Sequence, residues 1–141
     1  DRHRLQVLFN HDLEFFMAHA LNWFEIPVAD MDRAQRFYET LTGQSLKREA
    51  FGGPGQELAV FPAEHDTDVH GALFKSPAMQ PAAQGTLVYL NAGETLEPWL
   101  SRIETAGGRL ALPKVTLPDG MGCFAHIIDS EGNRVGIHAA G

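Results

Sequence analysis

The apolar positions of this chain change period twice. From Leu21 to Val28 large apolar residues dominate, as in a strand. Met31, Ala34, Tyr38 and Leu41 then recur at i, i+3, i+7 and i+10, with Phe37 widening the stripe, which predicts an amphipathic helix near 31–42. Asp30 offers an N-cap side chain, Asp32 sits near the positive end of that helix, and Gly43 stands where a C-cap glycine belongs. Three short strands are expected next, around Leu46–Phe51, Glu57–Phe61 and Gly71–Phe74. Gly52, Gly53, Pro54 and Gly55 form the turn between the first two.

Residues 76–84 hold two prolines, several small residues and no charge, the composition of a linker. A second cycle then begins at Gly85. Leu87–Leu90 reads as a strand, and Thr95 as an N-cap. Leu96, Trp99, Leu100, Ile103 and Ala106 form the stripe of a helix over 96–106, with Pro98 in its first turn, where the missing N–H costs little. Gly107 and Gly108 end it, and strands are expected near Arg109–Leu112, Cys123–Ile128 and Asn133–His138.

The two cycles superimpose at an offset of 65 residues: Met31 falls on Leu96, Ala34 on Trp99, Tyr38 on Ile103, Leu41 on Ala106, Gly43 on Gly108 and Gly71 on Gly136. Stripes, helix stops and strand glycines in one register indicate an internal duplication. The expected fold is α+β, with two βαβββ units at 20–75 and 85–139 whose curved mixed sheets surround a cavity. Neither unit is large enough to bury its sheet alone. Residues 1–16 carry no period tied to the repeat and read as an upstream extension; Phe15 and Phe16 leave open an arm that packs on a partner.

Composition narrows the function. The net charge of −7 disfavours nucleic acid and anionic membrane surfaces, and no apolar run approaches the roughly 20 residues of a membrane span. Hydrophobic residues make up 44% of the 141, with nine Phe, two Trp and two Tyr, enough for a packed core. The single cysteine, Cys123, cannot form an internal disulfide and reads as a small core residue, and a cytoplasmic location is the default expectation. Sheet edges in need of cover favour a homodimer.

Ile26-Pro27-Val28-Ala29-Asp30, then Arg33-Ala34 and Phe37-Tyr38, resembles the opening motif "V-x-D…R-A…F-Y" of the vicinal oxygen chelate superfamily. Asp129-Ser130-Glu131-Gly132-Asn133 resembles its closing "D-P-x-G-N" turn. That superfamily includes glyoxalase I, bleomycin-resistance proteins and extradiol dioxygenases, and the resemblance covers about residues 20–138. It implies four metal-ligand positions, on the first and last strand of each unit, which in glyoxalase I carry His, Glu or Gln. Counted from Val28 and through the offset, these fall on Trp23, Gly71, Val88 and Gly136, none of which can bind a metal. A two-residue slip, which keeps the face, moves them to Glu25, Leu73, Leu90 and His138 and yields two ligands. No metal and no other cofactor is therefore expected.

The remaining chemistry is sparse. His65-Asp66-Thr67-Asp68-Val69-His70 reads as a solvated acidic loop, since its donors share no face. Glu25 lies between large apolar residues, and His126 and His138 lie in apolar strands. Trp23, Glu25, Phe124, His126 and His138 are the candidate lining of a cavity that binds a small organic molecule without metal. The alternative is an enzyme of the same superfamily, a lyase, isomerase or dioxygenase, with Glu25 or a histidine as general base in a metal-free version.

Overall fold

A computed structural model describes residues 19–50 and 53–141. The extension at 1–16 and the turn residue Gly52 lie outside these. The first set of elements is β1 (Trp23–Pro27), α1 (Met31–Thr42), β2 (Lys47–Glu49), β3 (Glu57–Val60) and β4 (His70–Lys75). The second is β5 (Tyr89–Asn91), two short helices α2 (Glu97–Leu100) and α3 (Ile103–Ala106), β6 (Arg109–Thr116), β7 (Cys123–Ile128) and β8 (Arg134–Ala139). Each set builds a four-stranded mixed sheet, in the orders β1-β4-β3-β2 and β5-β8-β7-β6. The first strand runs parallel to the last, and the other pairs are antiparallel. This is the expected α+β architecture, and no described helix is long and apolar enough to cross a membrane.

Helix α1 forms as its sequence suggests. Asp30 is extended and its side chain accepts from the Arg33 N–H at 3.0 Å, a cap worth about 1 kcal/mol. Gly43 closes the helix in the left-handed region at φ 72°. Met31, Ala34, Phe37, Tyr38 and Leu41 are all buried against the sheets.

The second helix departs from the single element expected over 96–106. Its N-cap is Leu96 rather than Thr95, with no side-chain cap, and the helix breaks at Ser101–Arg102. The Ser101 hydroxyl donates to the Pro98 carbonyl at 2.8 Å, and the Arg102 N–H reaches only three residues back, to Trp99. A serine that bonds to the backbone of its own turn competes with the helical ladder. Strand β6 is longer than expected. It is the edge of its sheet and runs through Pro113 with register shifts on either side of Leu112, a position where the missing N–H is tolerated.

The strand faces show where the repeat changes register. Ile26, Leu73 and Ala59 align across β1, β4 and β3 and point into the core; Leu90, Ile137 and Ala125 do the same across β5, β8 and β7. Ile26 and Leu90 are 64 positions apart, as are Leu73 and Ile137, whereas the buried helix pair Tyr38 and Ile103 keeps 65. The second unit has one more residue between its first strand and helix, a stretch that holds Gly93 at φ 88°, and one fewer between that helix and its last strand. A one-residue change reverses the side of every strand residue. Gly71 and Gly136 therefore match in sequence yet lie on opposite faces, Gly71 under the ring of Phe24 on the core side and Gly136 under the ring of Tyr89 on the open side.

Candidate functional site

The closing turn holds the two sheets together. Asp129 Oδ1 accepts the N–H groups of Glu131 and Asn133, both at 2.9 Å, which shapes the turn. The buried Tyr38 hydroxyl donates to Asp129 Oδ2 at 2.6 Å. Burial, with the Asp129 carboxylate beside it, pushes this phenol well above its ordinary pKa. Glu131 Oε1 accepts the N–H groups of Ala29 and Asp30 at 2.9 and 2.8 Å, and Arg33 donates to both of its carboxylate oxygens. Burial alone would raise the Glu131 pKa, but Arg33 and the two N–H groups outweigh it and hold it below the usual carboxylate value. Opening and closing motifs thus meet as a structural joint.

The open face of the second sheet carries the other polar array. Tyr89, Phe124, His126 and His138 alternate with the core residues of β5, β7 and β8, and the Tyr89, Phe124 and His126 rings contact one another at centroid distances of 5.5–5.8 Å. Arg134 Nε donates to His126 Nδ1 at 3.1 Å, so the proton of the neutral ring sits on Nε2 and is donated to the Tyr89 hydroxyl oxygen at 2.7 Å. Desolvation first, and the Arg134 charge second, lower the His126 pKa and favour that neutral form. Tyr89 accepts from His126, which leaves its own O–H to donate outward.

The remaining candidates occupy other places. Trp23 and Glu25 project together from the open face of β1, where Trp23 Nε1 donates to Glu25 Oε2 at 3.1 Å. His138 Nε2–H donates to the Met121 carbonyl at 2.9 Å and so ties down the loop between β6 and β7. Phe124 and His126 are brought to one surface with Tyr89. Glu25 instead shares a cavity of about 260 Å3 with Arg134, walled by Pro27, Met79, Gln84 and Val88. The linker makes one wall, since Ala82 bonds with Asn133 and Arg134 at the start of β8.

Sequence reasoning missed Tyr89 and Arg134. Arg134 was reachable, because it lies four residues before His138 on the same strand face. Tyr89 was not, because the extra residue before the second helix reverses its strand relative to the helix pattern.

Two further cavities lie elsewhere on the described surface. One of about 390 Å3 lies beside the α1 N-terminus, where Asp32 and Arg48 are paired at 2.7 Å. One of about 570 Å3 is a crease lined by Phe24, Phe61, Tyr89 and Trp99, with Glu64 and Asp68 also in its lining.

The donors present do not suit the metal that the superfamily implies. Of the first expected set, Gly71 and Val88 face or pack against the core, and of the second set Leu73 and Leu90 do. Where Trp23 pairs with His70 and Tyr89 with Gly136, only the imidazole is a ligand. A Cβ at Gly136 would collide with the Tyr89 ring, so an aromatic ring fills the space a ligand side chain there would need. No three His, Cys, Asp or Glu side chains among the described residues are grouped to hold an ion.

Comparison with known proteins bears on the fold. No curated protein matches the sequence. Maize glyoxalase I, as its V278E mutant, superimposes with a TM-score of 0.62 at 17% identity, over 84% of this chain and 45% of the maize chain. This chain therefore spans about half the length of that enzyme. A glyoxalase-related enzyme from Fulvimarina pelagi gives a TM-score of 0.60 at 18% identity, over 84% of this chain and 86% of that one. The fosfomycin resistance protein FosX from Listeria monocytogenes gives 0.58 at 12%, over 86% and 90%. Residues 20–137, which hold both sheets, the joint and the Tyr89 array, match one family along their whole length, and the chain belongs to the Glyoxalase/Bleomycin resistance protein/Dioxygenase superfamily.

Proposed function

We propose that this protein binds a small organic molecule on the open side of its sheets, at the seam between them, without using a metal. The observation that carries this reading is the chain from Arg134 through His126 to Tyr89. It presents a hydroxyl donor on an aromatic surface, directly across from Gly136 on the neighbouring strand. An apolar surface with a few fixed polar groups is the usual form of a small-molecule site. The ligand this favours carries a carbonyl or carboxylate oxygen to accept from Tyr89.

Binding is favoured over general-base catalysis at His126. Both ring nitrogens are engaged in the neutral form, Nδ1 as acceptor and Nε2–H as donor, so no lone pair is free to take a substrate proton. Glu25 is the carboxylate left for an enzymatic role. A homodimer in the cytoplasm fits the same reading: Cys123 is a buried free thiol, and the edge strand β6 exposes Leu110 and Val115.

The test is a thermal-shift screen of small carbonyl and carboxylate compounds and of divalent metals, on wild type and Tyr89→Phe. The expected result is an organic hit that Tyr89→Phe weakens about tenfold, the worth of one hydrogen bond to a charged group. Stoichiometric metal in the purified protein, or hits indifferent to Tyr89→Phe, would sink the reading.

A further inference from the structure

Glu25 and Arg134 line one cavity from two different sheets, Glu25 from β1 and Arg134 from the first position of β8. They do not form an ion pair with each other. Among the described residues no carboxylate lies within the 4.0 Å of an ion pair to Arg134. Each is instead oriented by an uncharged neighbour: Trp23 Nε1–H holds one carboxylate oxygen of Glu25, and the His126 ring takes the Nε–H of Arg134. That leaves Oε1 of Glu25 and both Nη groups of Arg134 with no intramolecular hydrogen bond among the described residues. Two opposite charges that share a cavity and stay apart, each held by a neutral partner, form a site for a molecule that itself carries both charges.

We infer that the cavity binds a small zwitterion of the amino-acid type, its carboxylate at Arg134 and its ammonium at Glu25. This rests on the small-molecule reading above and narrows it to one ligand class. A guanidinium with two free Nη groups suits the planar two-oxygen face of a carboxylate, and a carboxylate suits the compact donor set of an ammonium. The lining also includes Pro27, Met79 and Val88, which suit an apolar side chain, and the amides of Gln80 and Gln84. About 260 Å3 lies below the roughly 300–1,000 Å3 of cavities that take drug-sized ligands, so the ligand is a single small unit. Tyr89 Oη, outside this cavity, is linked to the same Arg134 through His126.

The test is calorimetric titration of the full chain with leucine and with its two half-molecules, 4-methylpentanoate, which lacks the ammonium, and 3-methylbutylamine, which lacks the carboxylate. Leucine is expected to bind at least about tenfold more tightly than either. Glu25→Gln should abolish the advantage over 4-methylpentanoate, and Arg134→Gln the advantage over 3-methylbutylamine. Glu25 is exposed, so its variant is expected to fold, and circular dichroism on both variants checks this. Two results overturn the assignment: 4-methylpentanoate binding as tightly as leucine, or leucine binding unchanged in Glu25→Gln. If 4-methylpentanoate binds as tightly as leucine and Tyr89→Phe weakens it, the zwitterion assignment falls while the small-molecule reading stands. If none of the three probes binds, the assignment falls, and the wider thermal-shift screen decides the reading.

Discussion

Helix α1 and the α2–α3 pair hold equivalent places in the two repeats, yet they are stabilised in opposite ways. Both ends of α1 are held by the other unit: Glu131 takes two N–H groups at its N-terminus, and Arg102 donates to the Leu41 carbonyl at its C-terminus at 3.2 Å. A carboxylate at the positive end and a guanidinium at the negative end are the arrangement the helix dipole favours. At α2 the N-cap has no side-chain partner, and the helix breaks after one turn. The turns that precede the last strands differ in parallel. The second closes over α1, while the first, at 62–69, is largely exposed to solvent, with Asp68 bonded within its own loop to His65. A duplicated unit can thus keep its plan while one copy supplies the joint and the other is left free to vary.

The largest test of this contrast is Glu131→Ala. It leaves the half-exposed Arg33 without its partner and strips the N–H groups of Ala29 and Asp30, and should cost about 3 kcal/mol of unfolding free energy, two hydrogen bonds to a charged group at the low end of their range. Asp68→Asn in the other turn should stay within about 0.5 kcal/mol. Urea melts of both variants measure the difference, and equal losses would end the contrast.

The pH dependence sharpens it. The folded Glu131 pKa lies below its unfolded value, so its contribution is complete above roughly pH 4.3 and is lost as pH falls through the folded value. Denaturant melts between about pH 5 and 2 should show this loss in wild type and a shallower one in Glu131→Gln.

The two glycines divide in a similar way. Gly71→Ala pushes a methyl into the Phe24 ring on the core side and should cost about 2 kcal/mol, within the usual range for overpacking. Gly136→Ala meets the Tyr89 ring on the exposed side, where the ring can swing away, and should cost under about 1 kcal/mol. It should nonetheless weaken ligand binding, because the Tyr89–His126 bond breaks as the ring moves. Thermal melts and ligand titration on the two variants separate stability from binding.

A modest effect is expected at Arg102. Arg102→Met keeps the stem and removes the cap of α1, for about 1 kcal/mol. A change near zero by chemical denaturation would show that α1 depends on its N-terminal joint alone.

Much of the fold was readable because it is local. The stripe of α1, its Asp30 cap and Gly43 stop, and the strand-turn rhythm all depend on residues within a few positions of one another, and each element was anticipated within a few residues. The broken second helix was not, because a serine bond to Pro98 outweighed an otherwise regular stripe. The candidate site was half readable. Phe124 and His126 sit together as the alternation of β7 implies, while Tyr89 was hidden and His138 is engaged by Met121.

By itself, the sequence determined the repeat, the element order and the family resemblance, since those are carried by periodicity and short motifs. Tertiary structure alone decided which face each strand turns outward and what the motifs are for. One residue more before the second helix and one fewer after it reverse β5 and β8 against that helix without disturbing any local pattern, so Gly71 and Gly136 align in sequence yet face opposite ways. Glu131 meets Ala29, Asp30 and Arg33 across about a hundred residues of chain, and Glu25 meets the cavity of Arg134 across a similar span. Contacts at that separation are set by how the sheets pack, which no local period records.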